Sequence, residues 1–249
     1  MNDMSSRIGM EVVNSFGSKM ILVVWRKRVD IDVYFPEYNW TAQGINYGNF
    51  IKGRVSCPYE RSVFNIGYIG EGKYKLGKKC SDNESYIAWS GIIERCYTNR
   101  YKRYCDCTMS EEWLCFNTFS KWFEENIYYV ENQRMCVDKD ILKKGNKHYS
   151  KENCCIVPND INVLFTNSRS TRGKYLIGVD FHKGKCYRAR CSVFNENKVI
   201  GFYNTELEAF NNYKSFKEKH IKKVANMYKN IIPNDVYDAM INYKVDMSD

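Results

Sequence analysis

The chain has 249 residues, enough for one large domain or two to three small ones, each able to bury a core. A hydrophobic content of 44% with 15% aromatic residues excludes wholesale disorder. The 38 Lys and Arg against 29 Asp and Glu give a formal charge of +9, which favours a polyanionic partner over an acidic-protein role.

The eleven Cys follow no regular frame and read as reduced thiols; Cys105 and Cys107, like the adjacent Cys154 and Cys155, lack the spacing of a zinc ribbon. No apolar run is long enough to span a bilayer, and the stretch from Met1 to Arg7 lacks the apolar core of a signal peptide. A cytoplasmic protein without a membrane partner is the expectation.

From residue 8 to about 70 the pattern is β-like. Met20–Trp25 and Ile31–Phe35 are strand runs punctuated by Gly17, Gly44, Gly53, Gly67 and Gly70, which suits a small SH3-like barrel over residues 1–78. Lys19, Arg26, Lys27 and Arg28 cluster at the ends of the first strong strand, where they can meet phosphates or simply be solvated. Gly67–Gly72 lacks the Lys and Ser or Thr of a phosphate-cradling loop and reads as a linker. From Glu84 the period becomes helical, with Tyr86, Trp89, Ile92, Ile93, Cys96 and Tyr97 in one stripe. A second helix starts after Ser110 or after Asn117 and carries core aromatics at Trp113, Phe116, Phe119, Trp122 and Phe123.

The most informative stretch follows. Met135–Leu142 is a short apolar strand ending on Asp138 and Asp140, carboxylates suited to a hard cation such as Mg²⁺. A Gly- and Lys-rich loop leads to a polar turn at Ser150–Asn153 and a β-prone run, Cys154–Val157, closed by Pro158. Asn159 or Asp160 then caps a helix carrying Asn162 on its first turn.

These residues resemble the HNH endonucleases, whose ββα-metal finger uses an acid or His at the strand end, a His general base, a middle Asn and a final His or Asn. Asp138 falls at the metal-ligand position, Lys139 where the base His is expected, Asn153 at the orienting Asn and Asn162 at the second metal ligand. The intervals are fourteen residues from Lys139 to Asn153 and nine more to Asn162. The departure is Lys139, because an ammonium must lose its own proton before it can take one from water. His148, in the loop, offers an imidazole instead. The resemblance implies an HNH nuclease-like domain over 79–166, holding Mg²⁺ or Mn²⁺ through Asp138 and Asn162 with Asp140 nearby, with the aromatic helices as its scaffold.

Residues 166–175 form a polar, basic connector. Three strand candidates follow, Ile177–Phe181, Lys185–Val193 and Lys198–Tyr203, joined by turns at His182–Gly184 and Asn195–Asn197. Thr205 and Glu208 make a capping box, and Leu207, Ala209, Phe210, Tyr213 and Phe216 make the buried face of a helix.

In Gly178–Val179, Tyr187–Arg190, Gly201–Phe202, Thr205 and Glu208–Ala209 this unit, placed at 167–249, resembles an APETALA/ethylene-response-factor DNA-binding domain. That likeness implies that the sheet enters the major groove. Period-two alternation puts Arg188, Arg190 and Ser192 on one face and Tyr187, Ala189, Cys191 and Val193 on the helix side. Lys183 and Lys185 join the first set as candidate DNA contacts. Pro233–Tyr243 is a terminal helix.

The expected fold is therefore α+β: an N-terminal barrel, a central helical and ββα unit, and a C-terminal three-stranded antiparallel sheet packed on a helix. The segments together resemble a phage-type HNH endonuclease, of the homing or nicking kind, acting on double-stranded DNA in a bacterial host cytoplasm. Two alternatives stand beside it: a catalytically degenerate, sequence-specific DNA-binding regulator, and a protein-binding antagonist of host machinery.

Overall fold

A computed structural model describes residues 4–74, 83–166, 174–194 and 196–249. The protein is mixed α+β with several small antiparallel sheets, in two compact units: residues 1–100 with 109–123, and residues 101–108 with 124–249.

In the first unit, β1 (Glu11–Val13), β2 (Lys19–Lys27), β3 (Asp30–Phe35) and β4 (Trp40–Ile45) form an antiparallel meander in sequence order. Alternation dictates its inner face: Met20 and Leu22 of β2 and Ile31, Val33 and Phe35 of β3 are fully buried, joined by Phe50 of the short α1 (Tyr47–Ile51). The basic residues at the strand ends are partly committed to acids. Lys19 pairs with Glu11 at 2.6 Å, and Arg26 takes Asp30 and, in two parallel bonds, Asp32.

The helix expected from Glu84 is α2 (Glu84–Tyr97), started by the Asn83 side chain accepting from the Tyr86 amide. Both starts read for the next helix have a structural basis: a 3₁₀ turn occupies Glu111–Leu114, and α3 (Phe116–Asn126) follows. Trp89, Trp113, Phe116 and Phe119 are fully buried, and the Trp89 indole donates to the Trp113 carbonyl at 2.7 Å. These aromatics are core. Gly67–Gly72 is no loose linker: Tyr68 and Ile69 exchange backbone bonds with residues 114–117, and the Asn117 amide donates to the carbonyls of Ile69, Gly70 and Tyr74.

In the second unit, the strand, loop, strand, helix order read from the sequence is present. A two-residue strand, β5 (Thr108–Met109), precedes β6 (Met135–Asp138), β7 (His148–Tyr149) and β8 (Cys155–Pro158). β6 and β8 pair antiparallel with Met135 opposite Pro158 and Asp138 opposite Cys155, and α4 (Asn159–Phe165) follows at once. Pro158, not Asn159 or Asp160, is the N-cap of α4, and it has no side-chain cap bond. Asp160 is engaged elsewhere, accepting from the Gln133 side chain at 2.9 Å.

The C-terminal strands are β9 (Val179–His182), β10 (Cys186–Val193) and β11 (Glu196–Tyr203), with β10 central and both pairings antiparallel. Lys183 at φ 50° and Gly184 at φ 68° make a two-residue turn closed by the Lys185 amide on the His182 carbonyl, a geometry matched to strand twist. The second turn is tighter than Asn195–Asn197, since Glu196 already pairs with Val193; Asn195 itself lies outside the described residues, as does most of the 166–175 connector.

The capping box of Thr205 and Glu208 starts α5 (Glu206–Tyr228). Ala209, Phe210 and Tyr213 are buried as expected, whereas Leu207 is 52% exposed and lies outside their core cluster. α5 then runs on beyond the sheet, and Ile221, Val224 and Ala225 join Cys155, Val157, Ile161 and Leu164 in a second core. Val236 and Met240 of α6 (Asn234–Asn242) complete it. The hairpin and α4 thus rest on α5 and α6, and the terminal helix acquires a packing role.

Candidate functional site

The β6 strand ends where its backbone turns away from β8, and Asp138 makes that turn. Its Oδ1 accepts from the amides of Asp140 at 2.6 Å and Ile141 at 2.9 Å, a local Asx-type closure. Both bonds fall on one oxygen, so Oδ2 has no hydrogen bond among the described residues. Burial raises the Asp138 carboxyl above its ordinary range, against the pull of the two amides.

Lys139 falls where the resemblance expects a base. It is 7% exposed, its ammonium donates to Asp140 Oδ2 at 2.6 Å, and the rings of Tyr149 and Tyr104 lie 5.7 and 6.0 Å away. The ammonium bond falls on one oxygen of Asp140, so Asp138 Oδ2 and Asp140 Oδ1 both have no hydrogen bond among the described residues.

His148 is exposed on β7, and its Nδ1 lies 2.8 Å from Thr108 Oγ1, which fixes the ring. The Thr108 amide donates to the Lys147 carbonyl at 2.9 Å, so the partner is itself held. Asn153 closes the polar turn at Ser150, and its side-chain amide reaches the His148 carbonyl at 3.5 Å. A shorter bond to that carbonyl comes from Asn146, at 2.8 Å, whose amide also donates to the Lys139 carbonyl at 2.9 Å. Its oxygen accepts from the His148 amide. Asn146 therefore sets the loop that joins the two candidate bases. The signal for it was the dipeptide Gly145–Asn146, a turn composition, with Gly145 at φ 75°.

Asn162 is half-buried on α4, the helix that packs against both β6 and β8. Among the described residues no group of three or more His, Cys, Asp or Glu could hold a metal ion. Asp138 and Asp140 each keep one carboxylate oxygen without a hydrogen bond among the described residues, and Asn162 carries an amide on α4. Mg²⁺ keeps several waters and binds through one or two carboxylates plus phosphate oxygens.

On the C-terminal sheet, Arg188 and Arg190 share the outer face as expected, with Ala189 and Cys191 buried beneath. Both converge on Asp180, the residue directly across from Arg188 on β9. Arg188 donates to it at 3.1 and 3.2 Å, and Arg190 Nε lies 2.9 Å from its Oδ2. A slip of register between Ala189 and Arg190 puts Val199 opposite Arg190, while Phe202 lies opposite Arg188. These two apolar side chains are 46% and 55% exposed, and the His182 ring lies 5.3 Å from Phe202. Lys183 and Lys185 are exposed at the turn and Ser192 at the far end. Asp180, Val199 and Phe202 join this face through strand pairing, and only Val199 owes its place to the register slip between Ala189 and Arg190.

Among the described residues no helix is long and apolar enough to cross a membrane. Comparison with known proteins finds no matching family model, no matching curated protein and no matching solved structure.

Proposed function

We propose that the chain is a metal-dependent DNA endonuclease of the HNH type, a phage-type homing or nicking enzyme in which β6, β8 and α4 are the ββα finger and the C-terminal sheet holds the DNA. The observation that carries this reading is the antiparallel β6–β8 hairpin with Asp138 at its end, one carboxylate oxygen uncommitted, followed directly by the helix bearing Asn162. In this reading the meander is an SH3-like barrel with an accessory binding role.

His148, whose imidazole is exposed, takes the proton from the attacking water. Thr108 fixes its ring, and Asn146 and Asn153 hold its carbonyl. Asp138 and Asn162 would hold Mg²⁺ or Mn²⁺, which would supply Lewis-acid chemistry at the phosphodiester. Lys139 has a structural role through Asp140. Arg188, Arg190, Lys183, Lys185 and Ser192 contact double-stranded DNA, with Phe202 and Val199 available for thymine methyl groups.

The burial of Lys139 favours a second reading, a sequence-specific DNA binder whose finger no longer cuts. Supercoiled plasmid incubated with the protein in Mg²⁺, Mn²⁺ or EDTA, beside Asp138→Ala and His148→Ala, separates the two. Metal-dependent nicking lost in both variants supports the nuclease; gel-shift binding without any cutting supports the regulator.

A further inference from the structure

The first unit contains a cleft of about 610 Å³ that plays no part in the nuclease reading. Phe16, Trp40, Cys57, Glu60, Glu71 and Tyr74 are among the residues that line it. Its rim from Ile69 to Tyr74 is built rather than loose: Asn117 donates to three of its carbonyls and accepts from the Tyr74 amide at 3.1 Å. A Cβ on Gly72 would come within 2.1 Å of that same Asn117 oxygen, so the rim's approach to Asn117 requires glycine.

Two carboxylates line this cleft, and among the described residues every donor they bind is neutral. Glu60 is 2% exposed and accepts from the Asn14 side chain and the Cys57 amide. Glu71 accepts from the Trp40 indole at 2.7 Å and the Tyr59 hydroxyl at 2.8 Å, which hold its carboxyl below the ordinary range. Hydrogen bonds from neutral groups fix a carboxylate in place without cancelling its charge. On a chain of net charge +9 the cleft is thus a local anionic site with aromatic walls. Phe16 is 54% exposed at its edge, and the Tyr74 ring already carries the Lys73 ammonium 4.9 Å from its centre.

Fixed anions beside aromatic faces are the chemistry that selects an organic cation: the carboxylates attract the charge and the rings cover its apolar flanks. We propose that this cleft is a binding site for an alkylammonium group, either a free amine or the side chain of a lysine.

The test titrates the full-length protein with n-butylammonium, tetramethylammonium, Nα-acetyl-lysine methylamide and the neutral n-butanol, following backbone and indole N–H resonances. Saturable shifts at the Trp40 indole and the Gly70 and Gly72 amides are expected with the cations, with n-butanol weaker by about tenfold or more. Phe16→Ala, at an exposed position, and Glu71→Gln should each weaken cation binding with the rest of the spectrum retained. Tighter binding of the lysine derivative than of n-butylammonium assigns the occupant to a protein side chain, and the reverse order assigns it to a free amine. Equal response to n-butanol, or no saturable shift with any cation, overturns the proposal. DNA cleavage does not enter the readout, so this result and the nuclease reading stand or fall separately.

Discussion

Lys139 and His148, the two residues positioned to be considered as the base, are tied together by one side chain: Asn146 donates to the carbonyl of Lys139 at 2.9 Å and to that of His148 at 2.8 Å. This clamp closes the loop after β6 and delivers one residue to the interior and the other to the surface. Asn146→Ala removes both donors while leaving the carbonyls in place, and a stability loss of about 1–2 kcal/mol is expected. Hydrogen exchange of the amides from Asp140 to Tyr149 should quicken in the variant while that of β8 stays slow. Unchanged exchange across the loop would show that the clamp does not hold it.

Asp138 offers a metal ion one free oxygen, and Asn in its place would keep an acceptor for the amides of Asp140 and Ile141 without the charge. A ligand that binds only the folded state raises the melting temperature. Mg²⁺ or Mn²⁺ should therefore raise the melting temperature of the wild-type protein and leave that of Asp138→Asn unmoved. Equal shifts in the two proteins would place the ion elsewhere and remove Asp138 from the metal role.

Much of this site was legible because it rests on local patterns. The apolar run into Asp138, Pro158 after Val157 and the capping box at Thr205 each state a strand end or helix start within a few residues. What was hidden depends on residues distant in sequence. The burial of Lys139 needs Tyr104 and Tyr149, the ordering of Gly67–Gly72 needs Asn117, and the ion pairing of Arg188 and Arg190 needs Asp180 on another strand. α5 illustrates the limit: its capping box fixes where it begins, but nothing in its apolar spacing says that its second half serves another core.

The pairing of both arginines with Asp180 makes a prediction of opposite sign for acid and base. Asp180→Ala frees two guanidinium groups on the outer face of the sheet. DNA affinity should rise, and the dependence of affinity on salt should steepen, because more phosphate charge is neutralised. Arg188→Ala with Arg190→Ala should weaken binding and flatten that dependence. Affinity measured across a salt series for the three proteins decides it. If Asp180→Ala binds no better and the double variant no worse, the sheet is not the DNA surface.

In the first unit, stability should carry the signature of one carboxylate. Asp32 is 5% exposed and accepts two bonds from Arg26 at 2.7 and 2.8 Å, with a further one from the Gly44 amide. The Arg26 guanidinium holds the Asp32 carboxyl below the usual carboxylate range. A carboxyl lowered in the folded state contributes stability above its unfolded pKa of about 3.9 and loses it as pH falls through the folded value. Arg26→Gln should therefore melt below the wild-type protein at neutral pH, since it leaves a buried carboxylate without its cation. The gap should narrow as the pH is taken below the ordinary carboxylate range, where Asp32 becomes protonated in both proteins. Melting curves at pH 7 and at a pH below the ordinary carboxylate range test this directly, and a gap that stays constant across them would mean that Arg26 acts through packing of its aliphatic stem rather than through charge.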